Sequence, residues 1–146
     1  AHLAEVEVDP QTGQSQVVRY VIVDDFGYLL NPMLVEGQVH GGVVQGLGQA
    51  MMEHVVYDDN GQLLTASFMD YGMPRAADVP MFDFNSVVVP STANPIGMKG
   101  CGEAGTIGSM AAVSNAVMDA LASNGVTRAD MPFTPQRVWS MLQNAG

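Results

Sequence analysis

A chain of 146 residues fits one domain with a core of its own. Fifteen acidic residues against five Lys and Arg give a formal net charge of −10, which excludes the basic footprint that nucleic acids and anionic membranes require. Apolar residues make up 47% and charged residues only 14%, a charge density low enough to predict that other protein covers part of the surface.

From the first residues, Ala4, Val6 and Val8 alternate with Glu5 and Glu7, the period-2 pattern of a half-buried strand. The chain opens inside this pattern, which predicts a fragment of something longer. Asp9-Pro10-Gln11-Thr12-Gly13 has turn chemistry, and the β-branched and aromatic run Val17 to Val23 is the return strand of a hairpin. Asp24-Asp25-Phe26-Gly27 ends it. Asn31-Pro32 predicts a helix start, with Asn as N-cap and Pro at the first helical position. From Met33 to His54 the apolar residues Leu34, Val39, Val43, Leu47, Ala50 and Met51 follow a helical period.

That helix also carries Gly37, Gly41, Gly42, Gly46 and Gly48. Each costs roughly 0.5–1 kcal/mol relative to alanine in a helix interior, so close packing against another element or a ligand is expected. The pairs Gly37/Gly41 and Gly42/Gly46 would leave a flat groove. Beyond it, Val55 to Leu64 reads as a second hairpin turning at Asp59-Asn60-Gly61. Tyr71 to Phe82 reads as an irregular loop, Phe84 to Val89 as a strand and Ser91 to Gly102 as a loop. Thr106 to Ala122 is an amphipathic helix with Ile107, Met110, Val113, Val117 and Leu121 on one face, ended by Asn124-Gly125. Thr134-Pro135 starts a short last helix. Strands and helices mix without strict βαβ alternation. The predicted fold is a single α+β domain over 1–146, with β-hairpins packed against a long Gly-rich helix and two C-terminal helices.

No apolar run approaches the roughly 18 residues that span a bilayer. The opening residues show no basic stretch followed by an apolar one. Cys101 is the one cysteine, compatible with a reducing cytoplasm. His2, His40 and His54 lack a second ligand at zinc spacing, so no metal site is expected from them, and His40 reads as a packed or hydrogen-bonded histidine. The Gly46-Leu47-Gly48 run lacks the third glycine of a dinucleotide fingerprint, and no P-loop is present. Cys101 reads as a small loop residue. Gln38 and Gln45, seven apart, share one helix face beside the glycines, where they could hold a planar polar ligand or face solvent.

The stretch Lys99-Gly100-Cys101-Gly102-Glu103-Ala104-Gly105-Thr106 stands apart. It sets one carboxylate among glycines, beside the only lysine, just before a helix. Glu103 there is either an acid favouring a helix N-terminus or a general base held close to a ligand.

Taken in order, Asn31-Pro32, Glu36 to Gly42, Gln45 to Gly48, Met69-Asp70-Tyr71, Pro74 to Pro80 and Lys99 to Gly105 resemble the C-terminal part of the molybdenum-binding large subunit of the xanthine dehydrogenase family. That family includes aldehyde oxidoreductases, N-heterocycle hydroxylases and aerobic carbon monoxide dehydrogenases. The resemblance covers nearly the whole chain. It implies Glu103 as the active-site base. It also implies Gln38, Lys99, Gly100, Cys101 and Gly102 as contacts of a molybdenum-pterin cofactor in its cytosine dinucleotide form, with no metal ligand on this chain. Burial among apolar neighbours would raise the pKa of such a glutamate toward a useful range.

The implied reaction is oxidation of an aldehyde, an N-heterocycle or carbon monoxide with water as oxygen source, in the bacterial cytoplasm. The implied partners are the remainder of the molybdenum subunit, iron–sulfur and flavin subunits, and a small-molecule substrate, without nucleic acid or membrane insertion. Because the family's subunit is several times longer, this stretch alone is expected to bind no molybdenum and turn over no substrate. The alternatives are a non-catalytic assembly domain with the same fold and a free-standing small-ligand binder.

Overall fold

The structure, a computed structural model, describes residues 1–145. Its strands are β1 (His2–Val8), β2 (Ser15–Asp24) and β3 (Phe82–Ser86), and its helices are α1 (Pro32–Met51), α2 (Ala104–Ala122) and α3 (Pro135–Asn144), with a 3-10 turn at Ala76–Asp78. One sheet runs in the order β1-β2-β3. The first pair is antiparallel and the second parallel. The architecture is α+β.

The β1–β2 hairpin closes through Asp9. Its carboxylate accepts from the Gln11 amide (2.9 Å) and the Thr12 hydroxyl (2.8 Å). Gly13 completes the turn at φ 74°, a conformation that glycine adopts without a Cβ penalty. In β1 the even-numbered residues face inward as predicted. In β2 the phase slips: Val17, Tyr20 and Ile22 are buried. The register shifts between Glu5 and Val6, whose partners are Arg19 and Val17, so Val18 is left over as a bulge. One extra residue reverses which side chains face the core.

Two expectations change. The segment 55–64 turns where predicted, with the Asp58 carboxylate accepting from the Asn60 (2.9 Å) and Gln62 (2.8 Å) amides. It forms only the isolated bridge Tyr57–Leu63, not a pair of strands. Val55, Tyr57 and Leu64 are all exposed, and an isolated two-stranded ribbon with no face to bury is marginal. The last strand spans Phe82–Ser86, not Phe84 to Val89. Its partner β2 stops at Asp24, opposite Ser86; the Val87 amide makes the last bond, to the Asp24 carbonyl (2.9 Å), and Val87 to Val89 stay exposed.

Helix α1 starts as predicted, with the Asn31 side chain accepting from the Leu34 amide (3.2 Å) and Pro32 at the first position. Its second half is buried against α2 through glycine. A Cβ on Gly46 would lie 2.0 Å from Ser109 Oγ and 2.6 Å from the Thr106 carbonyl oxygen. A Cβ on Gly105 would lie 2.4 Å from the Val39 carbonyl oxygen. The packing half of the glycine prediction therefore holds at Gly42 and Gly46. Val43 and Leu47 of α1, Val113, Val117 and Leu121 of α2, Tyr20 and Ile22 of β2, Phe133 and Val138 make one core. The result puts the start of α2 beside the first half of α1.

Candidate functional site

The residues singled out in the sequence converge where α2 begins. Gln38 and Gly102 are 64 residues apart in the chain, and Gln38 Nε2 donates to the Gly102 carbonyl at 2.8 Å. Seven residues on, the Thr106 hydroxyl donates to Gln45 Oε1 at 3.3 Å. The two glutamines on one face of α1 thus both reach across to the first turn of α2 or the loop before it. Gln38 is exposed otherwise, so its amide oxygen remains open to a ligand.

Glu103 is the N-cap residue of α2, and its side chain makes no capping hydrogen bond. The carboxylate is exposed and not spent on its own helix. The expected burial is not supplied by this chain.

Lys99 is placed by groups that the sequence did not single out. Its amide donates to the Phe26 carbonyl (2.8 Å), and its ammonium donates to Asp25 Oδ2. The other oxygen of Asp25 accepts from the amides of Gly27 (2.9 Å) and Val89 (3.0 Å). Lys99 first, then the two amides, hold the Asp25 carboxyl at about 2, well below its usual range. Asn94 folds the preceding turn, with Oδ1 accepting from the Gly97 (2.8 Å) and Met98 (3.2 Å) amides. The Asp24-Asp25-Phe26-Gly27 run reads locally as a strand end, and no spacing rule links Asp25 to a lysine 74 residues later.

The sign of the Asp25 effect fixes a pH test. A depressed carboxylate stabilises the fold fully above its unfolded pKa of 3.8 and loses that contribution as pH falls toward about 2. Thermal melts of the wild type and of Asp25→Asn should differ by a constant offset above about pH 5 and converge as pH drops through the carboxylate range. An offset that persists unchanged into strong acid rejects the assignment.

The glycines divide by surroundings. Gly42, Gly46 and Gly105 touch the opposite helix, whereas a Cβ on Gly37, Gly41, Gly100 or Gly102 would meet nothing within 4 Å. These four open glycines lie in the two segments that the Gln38–Gly102 bond ties together. Of the two expected pairs, Gly42/Gly46 is filled by α2, whereas the backbone at Gly37 and Gly41 stays uncovered, so a planar group can approach it closely.

Cys101 is half-buried and packs on the core. The ring of His40 meets Phe82 edge-on at 5.3 Å and Phe84 at 6.4 Å, a packing role as expected. His2 Nδ1 lies 2.8 Å from the Tyr20 hydroxyl, and Nε2 3.3 Å from Asp24. No cluster of three metal-ligating side chains exists among the described residues.

Comparison with known proteins adds an independent line. Residues 1–80 match the family described as "Molybdopterin cofactor-binding domain". The chain is 44% identical over 137 residues to the nicotine 6-hydroxylase large subunit of Paenarthrobacter nicotinovorans, covering 94% of this chain and 17% of that one. It is 42% identical over 142 residues to the carbon monoxide dehydrogenase large chain of Hydrogenophaga pseudoflava, covering 97% and 18%. Its fold matches the crystal structure of quinoline 2-oxidoreductase from Pseudomonas putida 86 with a TM-score of 0.95 at 43% identity, over 99% of this chain and 18% of that one. The chain spans less than a fifth of the length of these relatives.

Proposed function

This chain belongs to the molybdopterin cofactor-binding family of molybdenum hydroxylase large subunits, and on that premise we propose that it forms one wall of a molybdenum-pterin site and carries the base of that site. The observation that carries the reading is the 2.8 Å bond from Gln38 Nε2 to the Gly102 carbonyl. It joins the two open-glycine segments and sets Glu103 at their junction.

The residues fit a planar cofactor. Gly37, Gly41, Gly100 and Gly102 leave backbone uncovered where side chains would block it. Gln38 would hold the pterin with its free amide oxygen, and the Gly100–Gly102 backbone would lie against it. Lys99 contributes through its position in the loop, because its ammonium is engaged by Asp25. When bound, the group would supply redox chemistry for oxidising the substrate with water as oxygen source. Glu103 accepts a proton at its carboxylate in that reaction. A base needs to stand within hydrogen-bond reach of the proton it removes, and the Glu103 carboxylate is not used as a cap on its own helix.

The exposed Glu103 needs a second wall to exclude water. In this reading the remainder of the subunit supplies it, together with most cofactor contacts and the substrate pocket, so this stretch alone holds no molybdenum. Exposed apolar side chains such as Met33 (74%), Phe68 (83%) and Met69 (92%) offer surface for that cover. One cysteine cannot ligate an iron–sulfur cluster, which takes four. Iron–sulfur and flavin centres then lie outside this stretch, on partner subunits in this reading. The cytosine dinucleotide form of the cofactor, a cytoplasmic location and an aldehyde, N-heterocycle or carbon monoxide substrate complete the reading. Among the described residues no helix is long and apolar enough to cross a membrane.

The same exposed apolar residues favour the rival reading, a non-catalytic assembly domain. Replacing Gln38 by Leu in the complete subunit tests the cofactor wall. Molybdenum and pterin content per subunit should fall several-fold, since a lost hydrogen bond with an unpaired partner costs roughly 1–3 kcal/mol. Unchanged content with unchanged turnover rejects the wall.

A further inference from the structure

We propose that Asp25 is a positioning residue for this site: it ties down the near end of the loop that delivers Glu103. The proposal rests on the reading of Glu103 as the base.

Three segments meet at this carboxylate. Oδ1 accepts from the Gly27 amide (2.9 Å), in the turn after β2, and from the Val89 amide (3.0 Å), beyond β3. Oδ2 accepts from the Lys99 ammonium. The loop backbone is pinned at the same place, with the Lys99 amide on the Phe26 carbonyl (2.8 Å) and a bridge between Gly27 and Met98. The approach is so close that a Cβ on Gly27 would lie 2.0 Å from the Gly97 carbonyl oxygen.

The far end of the loop is held by Gln38 on Gly102 (2.8 Å). Only Gly100 and Cys101 lie between the two anchors; a side chain at Gly100 or Gly102 would meet open space, while Cys101 packs on the core. Glycine has the widest backbone freedom, so the course of the loop into Glu103 depends on both anchors, while α2 holds Glu103 from the other side through the Ile107 amide on its carbonyl (3.0 Å). Gln38 belongs to the site already described. Asp25 touches neither Gln38 nor Glu103 and acts through Lys99 and the backbone.

The test uses the complete enzyme with Asp25→Ala, Asp25→Asn, Lys99→Met and Lys99→Arg. Asp83→Asn, which removes one of the two exposed carboxylate partners of Arg19, is the control and should match wild type. For Asp25→Ala and Lys99→Met, kcat per molybdenum should fall about 10- to 100-fold, the scale of an ångström's misplacement at a reacting centre. KM should stay within about twofold. Lys99→Arg should recover most of the loss, and Asp25→Asn, which keeps an oxygen for the two amides, should fall between. Amide hydrogen exchange across residues 97–103 should speed up in the two damaged variants, with or without cofactor, and return towards wild type in Lys99→Arg.

Unchanged exchange and kcat in Asp25→Ala, with Glu103→Gln inactive, overturns the positioning role and leaves the base in place. Activity lost only in proportion to molybdenum also overturns it, because Asp25 would then serve assembly alone. A fully active Glu103→Gln enzyme overturns the reading of the base itself.

Discussion

Glu103→Gln in the complete enzyme should lower kcat by about 10²- to 10⁴-fold, the usual contribution of a positioned general base, with molybdenum content unchanged. Glutamine keeps the shape and the hydrogen-bonding oxygen of glutamate but cannot take up a proton near neutral pH. The substitution is clean because the Glu103 side chain makes no capping bond to α2 and lies exposed on this chain. Folding of this stretch by itself should therefore change by no more than about 0.5 kcal/mol, as for most surface substitutions. Single-turnover kinetics and elemental analysis on the same preparation separate the outcomes. Wild-type turnover in a molybdenum-loaded variant would leave the assembly-domain reading as the better one.

Gly46→Val should be the most damaging substitution for the fold. Its Cβ would stand 2.0 Å from Ser109 Oγ and 2.6 Å from the Thr106 carbonyl. A hydroxyl can rotate away, but the carbonyl is part of the α2 backbone, so the helices themselves have to part. Overpacking of this kind costs about 1–3 kcal/mol and sometimes more, which lowers the melting temperature by roughly 3–12 °C for a domain of this size. Gly41→Ala, on the same helix, makes a contrasting case. A Cβ there meets nothing within 4 Å, and alanine in place of glycine should raise stability by about 0.5–1 kcal/mol. If both variants melt alike, the seam between α1 and α2 is not packed through glycine.

What could be read ahead follows the range of the interactions. The start of α1 is legible because Asn31 and Pro32 act on the amides just after them. The hairpin turn is legible because Asp9 and Gly13 build it alone. The slip at Val18 is not, since a bulge is a relation between two strands. Val87 to Val89 look like strand and are not, because whether they pair depends on where β2 ends.

The site divides in the same way. Glu103 and Gln38 stand out by their glycine surroundings, which are local. Their union through the Gly102 carbonyl is a tertiary fact, and so is the exposure of Glu103. Asp25 was invisible because an acid in a turn is common and its partners lie at Val89 and Lys99. The division of the glycines into packed and open sets could not be read from one helix, because it is the position of α2 that divides them.

The parallel pairing of β3 with β2 has a kinetic meaning. A hairpin such as β1–β2 can zip up from its own turn, but Tyr20 cannot find Phe82 until the whole intervening chain, including α1, has been drawn into a closed loop. Such distant contacts bear their entropy cost before any reward and come late in folding. Val89, which reaches Asp25 just beyond that pairing, inherits the delay. The anchor of the loop that carries Glu103 thus waits on the same loop closure as the β2–β3 pairing.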